Sequence, residues 1–558
     1  MKRRRQSRNS PRRRTARHNA VLPSILFLLA VCTFLPSLSN GFLGWDDGVY
    51  ILSNPLLTGP TFQDRVSVLG PRYFSEFAPV LHLSYGVDFL IARQRFNPKV
   101  FRFSCVLFHA LNTVLVWFLL LKLTDKKLVA FAAAVIFAIH PAQTETVCWM
   151  SQKKTLVATF LFLISFLAYL RWRHRLESAD RRPAVRALVA SLVAFAAALL
   201  TKQHIVVLPV LLVLYELLIC KRNVQVRQST VWLALAPFFA LVIGGVFLGY
   251  SGQAGAGALG SVPGSYLPTM LPVLWRYIFL TIIPIGTNAL HNPPGYNHLW
   301  EPVPLAAASA ALAVIVIIIL ASRRNRLLLF WSAWFLVGLA PMLNIIPLRI
   351  LMANRYLYVP IIAFCVLGGN VADIIWKSIG KSRPTSPQHL LTIFMAIATI
   401  LFLGSMTIAR QGVWRNNRTL WQDTLTRSPN TATAHSSLGE WYGGQGLHQK
   451  AEQEFKKTLE IDPQSTPALA NLGIIALKQG RVQKAKELLE HAINNGTMPI
   501  YLATAHLNLG ILYMDHYHNP QAALHHLRLS LEKNPYQPQR SRILEVVEKL
   551  RLQVGNAG

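Results

Sequence analysis

Long apolar runs, nearly free of charge, constrain this chain more than any other feature. The first spans residues 21–43, behind the basic run Lys2 to Arg17. Others lie near 103–121, 128–140, 155–171, 185–201, 204–220, 230–250, 303–321, 327–346, 356–372 and 389–409. A further candidate lies at 268–286. Lipid offers the backbone no hydrogen bonds, so runs approaching about 20 apolar residues read as membrane helices. Several of these are short for a full crossing. Only 14% of the 558 residues are charged, against roughly 25% in a soluble chain. The fold class is therefore all-α: a polytopic membrane domain of about eleven spans.

Charge placement gives a topology. The net charge of +32 sits largely in the N-terminal run and in short loops, which orients a membrane protein and argues against nucleic acid as a partner. A cleavable signal peptide, cut near Ser37-Leu38-Ser39, competes for the first run. Its length and the spans that follow favour a retained helix. With 268–286 taken as re-entrant or interfacial, Lys122/Lys126/Lys127, Arg171–Arg186, Lys221–Arg227, Arg323–Arg326 and Lys377–Arg383 all fall on the cytoplasmic side. If that segment spans, Arg323, Arg324 and Arg326 move outside. The positive-inside rule thus favours eleven spans, with the two termini on opposite sides. The five cysteines have no metal-ligand spacing and read as small packing residues.

A second architecture begins at 432. Leu438-Gly439 recurs as Leu472-Gly473 after 34 residues, then as Leu509-Gly510. Ala451, Phe455 and Pro463, then Ala485, Leu489 and Ala492, then Ala523, Leu527 and Pro535 follow at matching helical-hairpin positions. This is the tetratricopeptide (TPR) pattern of an α-solenoid, with an amphipathic cap at about 538–553. The domains read as a basic tail (1–20), a membrane domain (21–410) with a long external loop (44–100), a linker (411–431) and the repeats (432–558). TPR surfaces imply a protein or peptide partner.

Polar chemistry concentrates in the external loops. Gly44-Trp45-Asp46-Asp47-Gly48 carries two adjacent carboxylates, suited to a turn or to a general base acting on a hydroxyl. His140-Pro141-Ala142-Gln143-Thr144-Glu145 leads through Trp149 to Lys153 and Lys154, with His140 and Glu145 as candidate hydrogen-bond partners. Lys153, Lys154, Lys202 and Arg276 are cations on the external side, where an anionic lipid headgroup gives them a purpose. Lys202 is accompanied by His204, and Arg276 by His291 and His298. Asn354-Arg355-Tyr356-Leu357-Tyr358-Val359-Pro360, preceded by Arg349, supplies a guanidinium suited to phosphate or, alternatively, an interfacial anchor. Such a set fits an enzyme whose leaving group is a lipid phosphate. No phosphate-binding glycine loop, serine elbow or zinc motif is present.

The order of these motifs resembles the transmembrane and TPR-repeat O-mannosyltransferase-like family and its bacterial relatives in the GT-C glycosyltransferase superfamily. The matching stretches are Gly44-Trp45-Asp46-Asp47 with Asn54, His140 to Glu145 with Trp149, Lys153 and Lys154, Thr201-Lys202-Gln203 with Pro209, and Asn354 to Pro360. The resemblance implies a GT-C fold and a polyprenyl-phosphate monosaccharide donor. It implies inverting transfer to a hydroxyl acceptor, with Asp46 or Asp47 as base. Arg355, with Lys153, Lys154 and Arg276, would hold the donor phosphate. Trp45, His140, Glu145, Lys202 and Tyr356 would line the substrate. Asn354 departs from the family's usual Asp. No cofactor is required, although the acidic pair leaves room for a divalent cation. The length and the few repeats point to a bacterial inner membrane with undecaprenyl phosphate as carrier, a cytoplasmic N-terminus and periplasmic repeats. An O-antigen ligase or polymerase type of enzyme and a non-catalytic TPR scaffold are the alternatives.

Overall fold

A computed structural model of the chain describes residues 11–59, 61–70, 77–176, 181–220, 226–255, 262–345, 350–379, 387–496, 498–537 and 539–555. Arg349, residues 177–180 and the basic stretches 221–225 and 380–386 lie outside the described residues, as does most of the Lys2 to Arg17 run. The architecture is helical throughout, and no β-strand occurs among the described residues.

Every expected apolar run falls on a helix, but not every helix is long enough to cross. Among the described residues seven qualify: Val21–Ser39, Pro98–Thr124, Met150–Arg175, Arg182–Leu199, Gln228–Leu248, Pro302–Ser322 and Pro387–Arg415. An eighth is the pair Lys127–Ile139 and Pro141–Cys148, bent by 51°. The bend follows from Pro141, which has no N–H to continue the ladder and holds His140 extended (φ −72°, ψ 130°). Gln203–Leu218 and Arg326–Met342 are shorter, and Ile362–Ile379 begins six residues after the expected start at 356. Length and composition therefore give seven or eight spans rather than eleven. Residues 268–286 form the helix Tyr266–Ile282, also short for a crossing.

Packing at the centre is close. Ile362–Ile379 lies so tightly on Lys127–Ile139 that a Cβ at Gly369 would stand 2.4 Å from the Val129 carbonyl oxygen. Ionisable groups in this low-dielectric interior are matched. Arg173 Nε lies 3.2 Å from Glu216 Oε2, and the Tyr169 hydroxyl donates to the same carboxylate at 3.0 Å.

The region 44–100 is not an open loop. It contains short helical turns and the apolar helix Pro79–Ile91, which buries Leu81, His82, Tyr85 and Asp88. The segment 411–431 is equally ordered. Asn416 and Thr419 cap the helix Asn417–Arg427 reciprocally, and that helix buries Leu420 and Trp421. The expected linker is thus a rigid connection, because its capping residues and apolar face complete a helix.

Three hairpins follow: Ala432–Gly444 with His448–Ile461, Thr466–Lys478 with Val482–Asn495, and Pro499–Asp515 with Pro520–Lys533. Arg540–Gly555 closes the array. At Gly473 a Cβ would sit 2.8 Å from Leu489 Cγ, so the repeating glycine admits its partner helix. The first helices of the hairpins line the inner face. There Glu440 of the first repeat meets Asn471 of the second and Tyr501 of the third.

Burial pushes the Glu440 carboxyl up from 4.5 to about 7, although Tyr501 and Asn471 donate to it. The folded state therefore binds this proton more tightly than the unfolded one. Its stabilisation is complete below the unfolded value and is lost as pH rises through 7. We expect thermal unfolding of the repeats to shift down between pH 5 and 8 by an amount equivalent to roughly 1–3 kcal/mol. In Glu440→Gln that pH dependence should flatten. An unchanged slope in the variant would exclude Glu440 as its source.

Candidate active site

The two adjacent carboxylates occupy opposite environments. Asp47 is fully buried. Its Oδ2 accepts from Leu43 N–H at 3.0 Å. Its Oδ1 accepts from Ser151 N–H at 2.9 Å and from the Ser151 hydroxyl. Burial pushes its carboxyl up, against these donors and the nearby Arg102 charge. Either Asp46 or Asp47 is the base expected from the sequence, and the structure encloses Asp47 among structural hydrogen bonds. Asp46 is only partly buried. Its main-chain carbonyl accepts from Val49 and Tyr50 N–H, which turns the motif and separates the two side chains.

Arg102, which the sequence reading did not single out, fixes this turn. Its Nε donates to the Asn40 carbonyl at 2.8 Å, and its two Nη groups donate to the carbonyls of Cys148 and Gly41. One buried guanidinium thus joins the chain entering the Asp46 turn to the chain leaving the second motif. Its signal was an arginine at the mouth of an apolar run, a costly position without a structural reason.

The second and third motifs meet in a buried ion pair. An Arg355 Nη donates to Glu145, and Arg355 N–H reaches Glu145 Oε2 at 3.3 Å. The guanidinium also lies 5.3 Å from the Trp149 ring, 5.9 Å from Trp45 and 5.0 Å from Tyr356. Trp45 stacks on Trp149 at 4.3 Å and meets Trp421 of the connecting helix at 5.1 Å. Asp46 lies within electrostatic range of Arg355. His140 is not the partner of Glu145. Its Nδ1 accepts from Ala142 N–H at 3.2 Å and its Nε2 faces the Thr281 carbonyl, so it holds the helix bend instead of lining a substrate cavity.

The cations divide into two groups. Lys153 is buried and spoken for: its Nζ lies 2.6 Å from Asp88 Oδ2 and 3.0 Å from the Ser84 carbonyl. It is a structural ion pair rather than a phosphate ligand. Lys154 sits 4.7 Å over the Tyr50 ring, and both it and Lys202 act electrostatically on His204. Lys154 also reaches Tyr356, while Lys202 Nζ donates to Thr155 Oγ1 at 2.8 Å. Arg355, Lys154 and Lys202 therefore form one cationic band. Arg276 is exposed at its rim, near His291. Burial pushes His291 down to about 4, against its hydrogen bond to Asn354 and with help from Arg276, Arg410 and Arg355. Neutral His291 Nε2 pairs with Asn354 Oδ1 at 2.9 Å, so the amide at 354 serves a neutral hydrogen-bond role. His298 stacks on Trp300, apart from this group.

Asp47 has both oxygens occupied, and the described residues contain no cluster of three or more His, Cys, Asp or Glu arranged for a metal.

The comparisons agree with two parts of this picture. A family model described as dolichyl-phosphate-mannose-protein mannosyltransferase matches residues 88–246, and a tetratricopeptide repeat model matches 444–515. A protein O-mannosyl-transferase of Caenorhabditis elegans is 24% identical over 470 residues, covering 79% of this chain and 62% of its own length. One of Mus musculus is 23% identical over 557 residues, covering 87% and 57%. The chain thus spans about three-fifths of the curated relatives it matches. Among solved structures, the Archaeoglobus fulgidus oligosaccharyltransferase in its apo form aligns with a TM-score of 0.43 and 13% identity, over 73% of this chain and 57% of that one.

Removing the Lys153 charge alone strands a buried Asp88 carboxylate. Lys153→Met should lower stability by about 3–5 kcal/mol, read as a fall in Tm of the detergent-solubilised chain. The double change Lys153→Met with Asp88→Leu should recover most of that loss. If the double variant is no more stable than the single one, the pair is not the structural element described.

Proposed function

We propose that this chain, which belongs to the TPR-containing O-mannosyltransferase-like family, transfers a monosaccharide from a polyprenyl-phosphate donor to a hydroxyl of a polypeptide. The observation that carries the reading is the separation of the acidic pair. Asp47 is fully buried whereas Asp46 is partly exposed, beside a cationic band.

Asp46 takes the proton of the acceptor hydroxyl as its oxygen attacks the anomeric carbon. The bond from that carbon to the phosphate oxygen breaks on the opposite face, so configuration inverts. The departing lipid phosphate gains negative charge. Lys154, Lys202 and Arg355 sit where cations stabilise that charge, with Arg276 at the approach. Arg355 is oriented by Glu145 and by the rings of Trp45, Trp149 and Tyr356, so it acts from a fixed position. Mannose is the sugar in the names of the relatives and the first donor to test. Undecaprenyl phosphate in a bacterial inner membrane, with the repeats and Asp46 on the periplasmic face, is the setting we propose.

The test uses purified chain in nanodiscs with a polyprenyl-phosphate mannose and serine- or threonine-containing peptides, read by mass spectrometry. Asp46→Asn should reduce turnover by about 10²- to 10⁴-fold with Tm unchanged. Asp47→Asn should instead lower Tm together with activity, because it disturbs the Leu43 and Ser151 hydrogen bonds. Wild-type turnover in Asp46→Asn would exclude the general-base role, whereas no transfer by the wild-type chain would favour a scaffold.

A further inference from the structure

We propose that the groove between the helices Met150–Arg175 and Arg182–Leu199 holds an anionic phospholipid, with its phosphate on Arg171 and Arg186 and an acyl chain along an apolar floor. The groove lies at the far end of these helices from the Trp45–Trp149 contact and Asp46, so its occupancy is independent of the transfer reaction proposed above.

The two helices run antiparallel and are joined near mid-depth. The Ser165 hydroxyl donates to the Ser191 carbonyl at 2.7 Å, and the Ser191 hydroxyl donates to the Ser165 carbonyl at 2.7 Å. In lipid no water competes for these groups, so the reciprocal bonds fix the separation of the helices. Beyond that joint the facing side chains include Ala168, Ala187 and Ala190, and a cavity of about 520 Å³ opens between the helices. Clefts that hold ligands occupy roughly 300–1,000 Å³. Ile164 and Leu167 carry its apolar wall toward the bilayer centre. The small side chains leave the space, and the serine joint keeps the helices from closing over it.

The rim of the same cavity is cationic: Arg171, Arg175 and Arg186 line it. Arg171 stands six residues beyond Ser165 and Arg186 five before Ser191, so the antiparallel pair brings them within about 2 Å of one depth. Arg173, on another face of its helix, is taken by Glu216. No carboxylate pairs with Arg171 or Arg186 among the described residues. Residues 171–186 contain six arginines and two acidic residues, an excess of cation that calls for an anion. Each guanidinium presents a planar fork of donors matched to phosphate oxygens. Eighteen residues separate Lys153 from Arg171, roughly 27 Å of helix. That is close to the thickness of the hydrocarbon core, which puts the arginines at the headgroup level of the leaflet opposite Asp46. Orienting the chain in a membrane needs their charge alone; it does not call for an alanine-floored cleft beneath the charge. A phospholipid matches both, with its phosphate at the rim and its chain on the floor. A free phosphate ion would leave the floor empty.

The experiment titrates the full chain, delipidated in detergent, with dioleoylphosphatidylglycerol and reads bound lipid by native mass spectrometry. A high-affinity lipid should be retained that neither dioleoylphosphatidylcholine nor millimolar inorganic phosphate displaces. Arg171→Gln with Arg186→Gln should weaken its binding about ten- to a hundredfold. Lys122→Gln with Lys127→Gln removes the same charge where Pro98–Thr124 ends and Lys127–Ile139 begins, and should leave the affinity unchanged. Ala190→Trp keeps the arginines but fills the floor, and should exclude the lipid. Helicity and Tm, followed for each variant, separate these effects from misfolding. An unchanged affinity in the arginine pair, or an equal loss in the lysine pair, would overturn the proposal in favour of a diffuse basic surface. Displacement by inorganic phosphate, or full binding in Ala190→Trp, would overturn it by showing that the acyl chain has no seat in the groove.

Discussion

The site depends on a single buried guanidinium. Arg102 stands at the mouth of a membrane helix and spends three donors on main-chain carbonyls from two separate segments. Those segments bracket Asp47 and Ser151, whose hydrogen bonds complete the joint. Water is scarce there, so each donor left unmatched costs more than a bond made at a surface. The turn carrying Asp46 is consequently held by the bonds of its neighbours, and Asp46 stays partly exposed where Asp47 is buried. Two adjacent carboxylates with different environments can take different roles.

The same constraint governs the rest of the membrane domain. Arg355 is matched by Glu145, Lys153 by Asp88 and Arg173 by Glu216. Such pairs contribute little net stability, since desolvation consumes most of their attraction. They are strongly directional, however, and each joins segments distant in sequence. The Glu145–Arg355 pair brings the second motif onto the third and sets the Trp45, Trp149 and Tyr356 rings around it.

How much of this was legible beforehand depended on the kind of signal. The apolar runs and the repeat period are local patterns, and they gave the helices and the solenoid with nearly correct bounds. The motifs drew attention to these loops, because adjacent aspartates and cations are conspicuous in a sequence poor in charge. What the sequence did not carry was partnership. Lys153 reads as a free cation until Asp88 appears on a helix within what looked like a loop. Glu145 reads as the partner of His140 until Arg355 arrives from 210 residues away. The distinction between Asp46 and Asp47 depends on Ser151, 104 residues downstream of Asp47. The span count depends on more than hydropathy: hydropathy locates apolar runs, but a proline bend and a late helix start shorten some of the helices they form.

The Trp45–Trp149 stack has an optical consequence. Two indoles 4.3 Å apart and nearly parallel at 15° have transition dipoles close enough to couple. They share an excitation and split its absorption band. Because one indole belongs to the turn of Asp46 and the other follows Glu145, any shift of one loop against the other alters that splitting. The protein thus carries, without a label, a chromophore pair whose circular dichroism reports the geometry of these two loops.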